Sequence, residues 1–207
     1  MSLVIQIEEL RKSDVRNVVE QRLKEFKEFE NKTDKEWFCE LCFCLLTANS
    51  RAQTAINIQN ELGADGFLDL TREEITEAIK RNKHRFHNNK ARYIVEARKY
   101  KDIRSIIKDM DEKTAREWLA VNIKGLGYKE ASHFLRNTGG TKLAILDRHI
   151  LNLFLENGYL IEKPSSLNRK KYLEIEEIFN KIAELLDMNS SELDLYMWYL
   201  KTGEVLK

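Results

Sequence analysis

Apolar residues recur at helical spacing along almost the whole chain, and the residues that interrupt helices are rare. Among 207 residues there is one proline, Pro164, and there are eight glycines. No stretch of useful length alternates apolar and polar residues, as a half-buried strand would. Because proline and glycine are the strongest local breakers of helices, this combination predicts an all-α fold.

The starts of several helices are marked by residues that satisfy free backbone N–H groups. Thr33 with Glu36, and Thr71 with Glu74, form the capping-box pattern. Gly63 and Gly66 are expected to end a helix that begins near Arg51. Further helices are expected at about residues 14–30, 89–100, 104–110, 114–122, 128–137, 147–156, 169–186 and 190–200.

Length and composition restrict the class of protein. A chain of 207 residues can form one large or two small domains with a real core. Its 43% hydrophobic and 33% charged residues are typical of a soluble globular protein. No apolar run approaches the length of a membrane span, and the start, Met1-Ser2-Leu3-Val4, lacks a secretory signal pattern. We therefore expect an intracellular, cytoplasmic protein with no membrane partner.

Positive charge is concentrated in one stretch. The formal net charge is only +1, which argues against a broadly basic nucleic-acid-binding surface. Between Lys80 and Lys101, however, nine Lys or Arg residues stand against the single acid Glu96. One face of this stretch is therefore a candidate to meet DNA phosphates, although a solvated helix face explains the same pattern equally well.

The three cysteines lie close together, and their spacing excludes most functional roles of cysteine. Cys39, Cys42 and Cys44 fall on one apolar helix, and no cysteine follows them. This spacing fits neither a disulfide framework nor a complete metal site. We expect buried thiols that act as small hydrophobic residues, and we predict no metal and no organic cofactor.

A short glycine-containing segment separates two helical patterns. The segment is Ile123-Lys124-Gly125-Leu126-Gly127. Two glycines one residue apart let the backbone turn tightly and leave its N–H groups uncovered, which at a helix N-terminus makes an anion site. We interpret the anion as a DNA phosphate, contacted by Lys124, Gly125 and Gly127, while an ordinary interhelical turn remains the alternative.

This arrangement of two helices and a hairpin, at about residues 114–137, resembles the helix-hairpin-helix motif. Lys129 on the first turn of the second helix and Asp147 downstream extend the resemblance to the helix-hairpin-helix-Gly/Pro-Asp superfamily of DNA glycosylases. Ile145-Leu146 stand where the family name places Gly/Pro, whereas Asp147-Arg148-His149-Ile150 is a good match. No cysteine follows Cys44, so the iron–sulfur cluster that endonuclease III relatives commonly carry is not expected.

The resemblance implies two closely packed helical subdomains with a DNA cleft between them. Residues 33–145 would form the subdomain that contains the helix-hairpin-helix. Residues 1–32 and 146–207 would form the second one, with the C-terminal helices that make the lesion pocket.

The resemblance also implies two catalytic residues. In the family, an amine at the place of Lys129 attacks the sugar carbon, expels the base and forms a Schiff base, from which strand scission follows by β-elimination. An ammonium has no lone pair, and the positive end of the helix dipole disfavours that charged form. The aspartate matching Asp147 assists activation of the nucleophile and stabilises positive charge on the sugar, and it is also a good helix cap.

Two further stretches resemble the family loops that reach into the duplex. In Leu46–Gln53, Asn49 and Arg51 are expected to fill the gap left by the flipped base or to contact the orphaned base. In Phe86–Ile94, Asn89 and Lys90 are expected to contact DNA. The alternative for both stretches is a capped loop between helices.

The C-terminus points to a subfamily. A chain this short, which lacks the cluster and the extra N-terminal domain of the eukaryotic enzyme and ends in lysine, resembles the archaeal type of 8-oxoguanine DNA glycosylase/lyase. That resemblance implies that Trp198 faces the flipped purine and that Lys207 contributes charge or hydrogen bonds to it. The alternative is that the C-terminal aromatic residues are core and the tail is frayed.

The function predicted from these residues is that of a prokaryotic bifunctional DNA glycosylase/AP lyase. It would excise 8-oxoguanine from damaged double-stranded DNA in base excision repair, as a monomer and without a cofactor. The same chemistry on oxidised pyrimidines remains open, and so does a non-catalytic DNA-binding module. Lys129 with Asp147 discriminates against the binding module, which needs neither residue.

Overall fold

The computed structural model describes residues 2–207, and every regular element in that range is helical. The prediction of an all-α fold is therefore confirmed. The first helix, α1, was not predicted from the sequence. The α-helices are α1 (Leu3–Arg11), α2 (Val15–Phe29), α3 (Asp34–Thr47), α4 (Ala52–Asp69), α5 (Arg72–Arg81), α6 (His87–Ala97), α7 (Ile103–Ile107), α8 (Glu112–Asn122), α9 (Tyr128–Asn137), α10 (Arg148–Glu156), α11 (Arg169–Leu185) and α12 (Ser190–Thr202), with a short 3-10 helix at Arg98–Tyr100.

The helices form two compact units. One is Asn31–Thr138, with α3 to α9, and the other combines the residues up to Glu30 with Gly139–Lys207. The segment 139–145, which the sequence analysis grouped with the helix-hairpin-helix, falls in the second unit. Its backbone is bonded there: the Ser190 N–H donates to the Thr141 carbonyl at 3.0 Å, and the Ser191 hydroxyl donates to the Gly140 carbonyl at 2.7 Å.

The centre of the Asn31–Thr138 unit is α3. From Trp37 to Thr47 this helix is buried at every position except the half-buried Cys39. Apart from Glu40 and Thr47 the buried residues are apolar, and a helix with apolar residues on all its faces must be covered by neighbours. The neighbours that pack against α3 are α4, α6, α7 and α9. Cys42 and Cys44 lie inside this core, where burial raises the pKa of the Cys42 thiol.

The starts of α3 and α5 are capped as predicted. Both capping boxes form: the hydroxyls of Thr33 and Thr71 accept the N–H of Glu36 and Glu74, whose carboxylates accept the threonine N–H groups. The predicted helix break at Gly63 is confirmed, because Gly63 leaves helical geometry with φ of +59°. A second helical stretch then runs to Asp69, so Gly66 lies inside that stretch and does not end a helix.

In the second unit, hydrogen bonds anchor the segment that precedes α10. The buried Tyr172 hydroxyl of α11 donates to the Ala144 carbonyl at 2.8 Å, and the Ala144 N–H donates to a Glu176 oxygen at 3.0 Å. These bonds place the extended segment so that Asp147 becomes the N-cap of α10. Within residues 2–207, no helix combines the length and the hydropathy that a membrane span requires.

Candidate nucleic-acid interface and catalytic residues

The hairpin between α8 and α9 is held by its apolar residues and exposes its glycines. Ile123 and Leu126 are buried, and the Leu126 N–H donates to the Ile123 carbonyl at 3.1 Å. Lys124, Gly125 and Gly127 are exposed, and within residues 2–207 the Gly125 N–H has no acceptor. The segment therefore presents uncovered backbone at the start of α9, as an anion site requires.

The two helices of the motif are joined by a contact that the sequence did not reveal. Arg116 of α8 is fully buried, and its guanidinium lies 5.1 Å from the centre of the Tyr128 ring on α9. The Tyr128 hydroxyl donates to Glu117, also on α8. A buried arginine cannot be told from a surface one by helical spacing, so only the packing identifies this residue.

The structure distinguishes the roles of the two hairpin glycines and gives a prediction. Gly125 has φ of +92°, and a Cβ there would lie 2.4 Å from Cδ2 of Tyr93. Gly127 has φ of −99°, which any residue adopts. We expect Gly125→Ala to lower the free energy of unfolding by about 1–3 kcal/mol and to weaken binding to damaged and undamaged duplexes alike, because phosphate contacts carry no sequence information.

The matched variant is Gly127→Ala, whose Cβ would meet only the Glu130 carboxylate at 3.2 Å. It should cost clearly less stability in denaturant unfolding. Loss of affinity for lesion DNA alone in fluorescence anisotropy, with undamaged DNA unaffected, would contradict the assignment of this hairpin to phosphate.

Lys129 is the second residue of α9, directly after the hairpin. Its side chain is 26% exposed, and its Nζ lies 3.2 Å from Oε1 of Glu130. The other oxygen of Glu130, Oε2, accepts the Gly127 N–H at 3.3 Å. Glu130 therefore links the hairpin backbone to the lysine amine. Glu130 was not predicted as a site residue, although it stands at the capping-box distance from Gly127.

Lys90 has an environment that contradicts its predicted role in contacting DNA. Its side chain is buried, and its Nζ donates to the Leu45 carbonyl at 2.5 Å. An amine turned into the unit cannot meet a phosphate on the surface. Burial lowers the pKa of Lys90 to about 8, opposed by the charge of Glu130 and reinforced by that of Lys129.

The low pKa of Lys90 gives a prediction for the pH dependence of stability. Between about pH 8 and the ordinary lysine value of 10.5, the unfolded chain holds a proton that the folded chain releases. The free energy of unfolding therefore rises with pH in that window. Between pH 7.5 and 10, the free energy of unfolding of the wild type should rise by about 1–3 kcal/mol more than that of Lys90→Met. Urea unfolding measures both. Parallel pH profiles would show that this amine is not desolvated.

The other residues predicted to contact DNA in this unit lie on the surface. Asn49 is exposed with φ of +61°, and Arg51 is exposed at the N-cap of α4. Asn89 is exposed on the first turn of α6. Lys124 is exposed too, with its Nζ 3.7 Å from a Glu96 oxygen.

Asp147, in the second unit, has the geometry of a helix cap. Its Oδ1 accepts the N–H groups of His149 at 2.8 Å and Ile150 at 2.9 Å. The side chain is half-buried, and Oδ2 accepts no hydrogen bond within residues 2–207. Capping therefore occupies one oxygen of this carboxylate and leaves the other available to a developing positive charge.

The residues predicted for the lesion pocket lie on and after α12. Trp198 is half-buried, with its ring 4.9 Å from the His149 ring in an edge-to-face arrangement. Its indole N–H is buried and has no acceptor in the part of the chain that the structure describes. Lys207 is half-buried and follows Gly203, where α12 ends with φ of +75°. Among residues 2–207, no group of three His, Cys, Asp or Glu side chains is placed to hold a metal ion.

Comparison with known proteins gives matches along the whole chain. A family model described as 8-oxoguanine DNA glycosylase matches residues 19–188. A protein of Methanocaldococcus jannaschii named 8-oxoguanine DNA glycosylase/AP lyase is 54% identical over 208 residues, covering 100% of both chains. One of Thermotoga maritima with the same name is 44% identical, covering 99% of both.

Solved structures agree with these sequence matches. The crystal structure of the Methanocaldococcus jannaschii 8-oxoguanine glycosylase/lyase in complex with a 15mer DNA containing 8-oxoguanine has a TM-score of 0.98 at 53% identity, with 100% of both chains covered. The crystal structure of the Thermotoga maritima 8-oxoguanine DNA glycosylase has a TM-score of 0.94 at 43% identity, covering 99% of this chain and 98% of that one.

Proposed function

Because the chain belongs to the 8-oxoguanine DNA glycosylase family, we propose that it excises 8-oxoguanine from double-stranded DNA and then cleaves the strand at the abasic site. The observation that carries the proposal is the place of Lys129. It lies on the first turn of α9, just after an exposed hairpin whose uncovered Gly125 N–H suits a phosphate. A primary amine beside a phosphate anchor is what a glycosylase with lyase activity needs.

In the proposed reaction, Lys129 is the nucleophile. Its unprotonated amine attacks the sugar carbon that bears the damaged base, and the base leaves as the carbon–nitrogen bond breaks. The departing base takes up a proton, and the bond between the same carbon and the ring oxygen then breaks, with the oxygen also taking a proton, which gives the Schiff base. The Schiff base makes the proton on the neighbouring sugar carbon acidic. Removal of that proton expels the 3′ phosphate by β-elimination and cuts the strand. Glu130, 3.2 Å from the amine, restricts where the side chain points before DNA binds.

Asp147 is proposed to stabilise the positive charge that grows on the sugar as the base departs. Two backbone N–H bonds to Oδ1 hold the carboxylate in one orientation. Preorganised charge of this kind is among the largest contributions to enzymatic rate. Capping and catalysis are compatible here because Oδ2 takes no part in the cap.

The remaining predicted residues are proposed to hold and read the DNA. A base must leave the stack before its sugar can be attacked, and exposed Asn49, Arg51 and Asn89 are suited to contact the distorted duplex. Trp198 and Lys207 are proposed to contact the flipped base. The unpaired indole N–H of Trp198 supports this role, because a buried donor without an acceptor is costly unless a ligand supplies one.

Borohydride trapping tests the proposal in one assay. The wild-type protein is incubated with matched duplexes that carry 8-oxoguanine, an oxidised pyrimidine or no lesion, and sodium borohydride reduces any Schiff base to a stable adduct. We expect an adduct with the 8-oxoguanine duplex, and we expect mass spectrometry to map it to Lys129. The mass of the adduct should correspond to one protein chain per duplex. Trapping only with the oxidised pyrimidine would mean that the substrate is an oxidised pyrimidine. If the protein bound the duplexes but formed no adduct with any of them, it would be a non-catalytic module.

A further inference from the structure

All four C-terminal carbonyls of α3 accept hydrogen bonds. The four C-terminal carbonyls of a helix have no partner within it. Here the Thr47 hydroxyl donates to the Cys44 carbonyl at 2.8 Å, and the Ser50 N–H donates to the Thr47 carbonyl at 3.1 Å. The two carbonyls between them, of Leu45 and Leu46, are bonded from outside the helix.

Both outside donors come from one short segment, residues 84–90. Lys90 Nζ donates to the Leu45 carbonyl at 2.5 Å, and the His84 ring Nε2 lies 2.9 Å from the Leu46 carbonyl. His84 and Lys90 are both buried. We call this pair of side chains the α3 clasp.

The tautomer of His84 follows from its second ring nitrogen. The Phe86 N–H donates to Nδ1 at 3.2 Å, so Nδ1 is an acceptor and the proton sits on Nε2. That proton is donated to Leu46. The imidazole therefore joins the end of α3 to the backbone that leads into α6, and burial, which lowers the pKa of His84, favours this neutral form.

What the clasp holds in place is the short connection from α3 to α4. Ala48 leaves helical geometry, Asn49 takes the left-handed conformation with φ of +61°, and α4 begins at Ala52. Only four residues, Ala48 to Arg51, lie between the two helices, so the positions of the exposed Asn49 and Arg51 follow directly from where α3 ends. A non-glycine residue at positive φ is uncommon and persists where its surroundings enforce it.

We propose that His84 and Lys90 are positioning residues that couple the segment 84–90 to the loop Asn49–Arg51, so that both approach the duplex as one rigid element. The inference rests on the proposed function. Neither side chain touches the reacting atoms. They act through Asn49 and Arg51, so they should affect only reactions on double-stranded substrates, in which these two residues can enter the duplex.

Comparison of two substrates tests the coupling. His84→Leu and Lys90→Met are assayed in single turnover for 8-oxoguanine excision from a duplex, and for cleavage of a single-stranded oligonucleotide with an abasic site. For each variant we expect duplex excision to fall about tenfold, the equivalent of one lost hydrogen bond to an ordered loop. Single-strand cleavage, which needs Lys129 but no gap to fill, should stay within about twofold of the wild type.

A double-mutant cycle separates positioning from general destabilisation. Asn49→Gly keeps the left-handed backbone but removes the side chain. In that background, with Arg51→Ala added, His84→Leu should cost less than about a further twofold, because both side chains that it positions are gone. Additive losses, or equal losses on both substrates, would overturn the proposal.

The control is Lys108→Met, which removes an exposed lysine at the end of α7 and should change neither reaction. Thermal unfolding shows whether each variant is folded. If His84→Leu is not, Lys90→Met decides the comparison, since replacing a buried amine by an apolar chain of similar length is tolerated. Wild-type protein inactive on both substrates would refute the proposed function instead of the clasp.

Discussion

Lys129→Gln should bind lesion DNA with nearly wild-type affinity and yet form no borohydride-trapped adduct. Glutamine has a similar length, but its amide nitrogen is not nucleophilic. Base release and strand cleavage both begin with this amine, so both should fall at least about a thousandfold, as when other covalent nucleophiles are removed. Binding is measured by fluorescence anisotropy, and chemistry by single-turnover gel assays.

A matched control is available one helix earlier. Lys113 is the second residue of α8, as Lys129 is of α9, and it is exposed. Lys113→Gln should trap and cleave like the wild type. Undiminished trapping by Lys129→Gln would show that another amine forms the Schiff base. If Lys129→Gln lost DNA binding as well as base release and strand cleavage, Lys129 would contribute to DNA binding at the hairpin and not act as the nucleophile.

Asp147→Asn is expected to slow the chemical step about 10²- to 10³-fold, the scale on which a preorganised electrostatic contact acts. Asparagine is as good an N-cap as aspartate. The bonds from His149 and Ile150 to the side-chain oxygen should therefore persist, and the free energy of unfolding should hardly change. The substitution removes the negative charge and little else. Single-turnover rates with enzyme in excess report the chemical step, and urea unfolding reports the cap.

Asp111 supplies the control because it caps α8 in the same way. Its Oδ1 accepts the N–H groups of Lys113 at 3.0 Å and Thr114 at 3.1 Å. The Thr114 hydroxyl, which donates to Oδ2 at 2.6 Å, is the largest cause that holds the pKa of Asp111 below its usual value, and the two backbone N–H groups add to it. Asp111→Asn should leave excision unchanged. If both asparagine variants were fully active, Asp147 would be a cap and nothing more.

Patterns of neighbouring residues in the sequence predict much of the candidate site. The hairpin could be read from the sequence because turns and caps depend on a few neighbouring residues, and Ile123, Leu126 and the glycines specify this one. The first-turn place of Lys129 and the capping place of Asp147 follow from the same local rules. Their catalytic roles came from resemblance to a family and remain predictions.

Lys90 shows where local reasoning fails. In the sequence it is one cation of a basic stretch, and such a stretch predicts a solvent-facing surface. Its burial depends on α3, about 45 residues away along the chain, whose terminal carbonyl at Leu45 is its partner. Helical periodicity cannot report which distant carbonyl lacks a donor. The same limit hid the burial of Arg116.

The helical fold, the starts of most helices and the glycine hairpin before a lysine all follow from the residues alone. These properties depend on interactions between residues a few positions apart. Which polar side chains turn inward depends on how the helices pack: Lys90 and His84 turn toward the end of α3, and Arg116 turns toward Tyr128 of α9. A buried polar group must find its partner wherever the chain brings one, and that pairing exists only once the helices have packed.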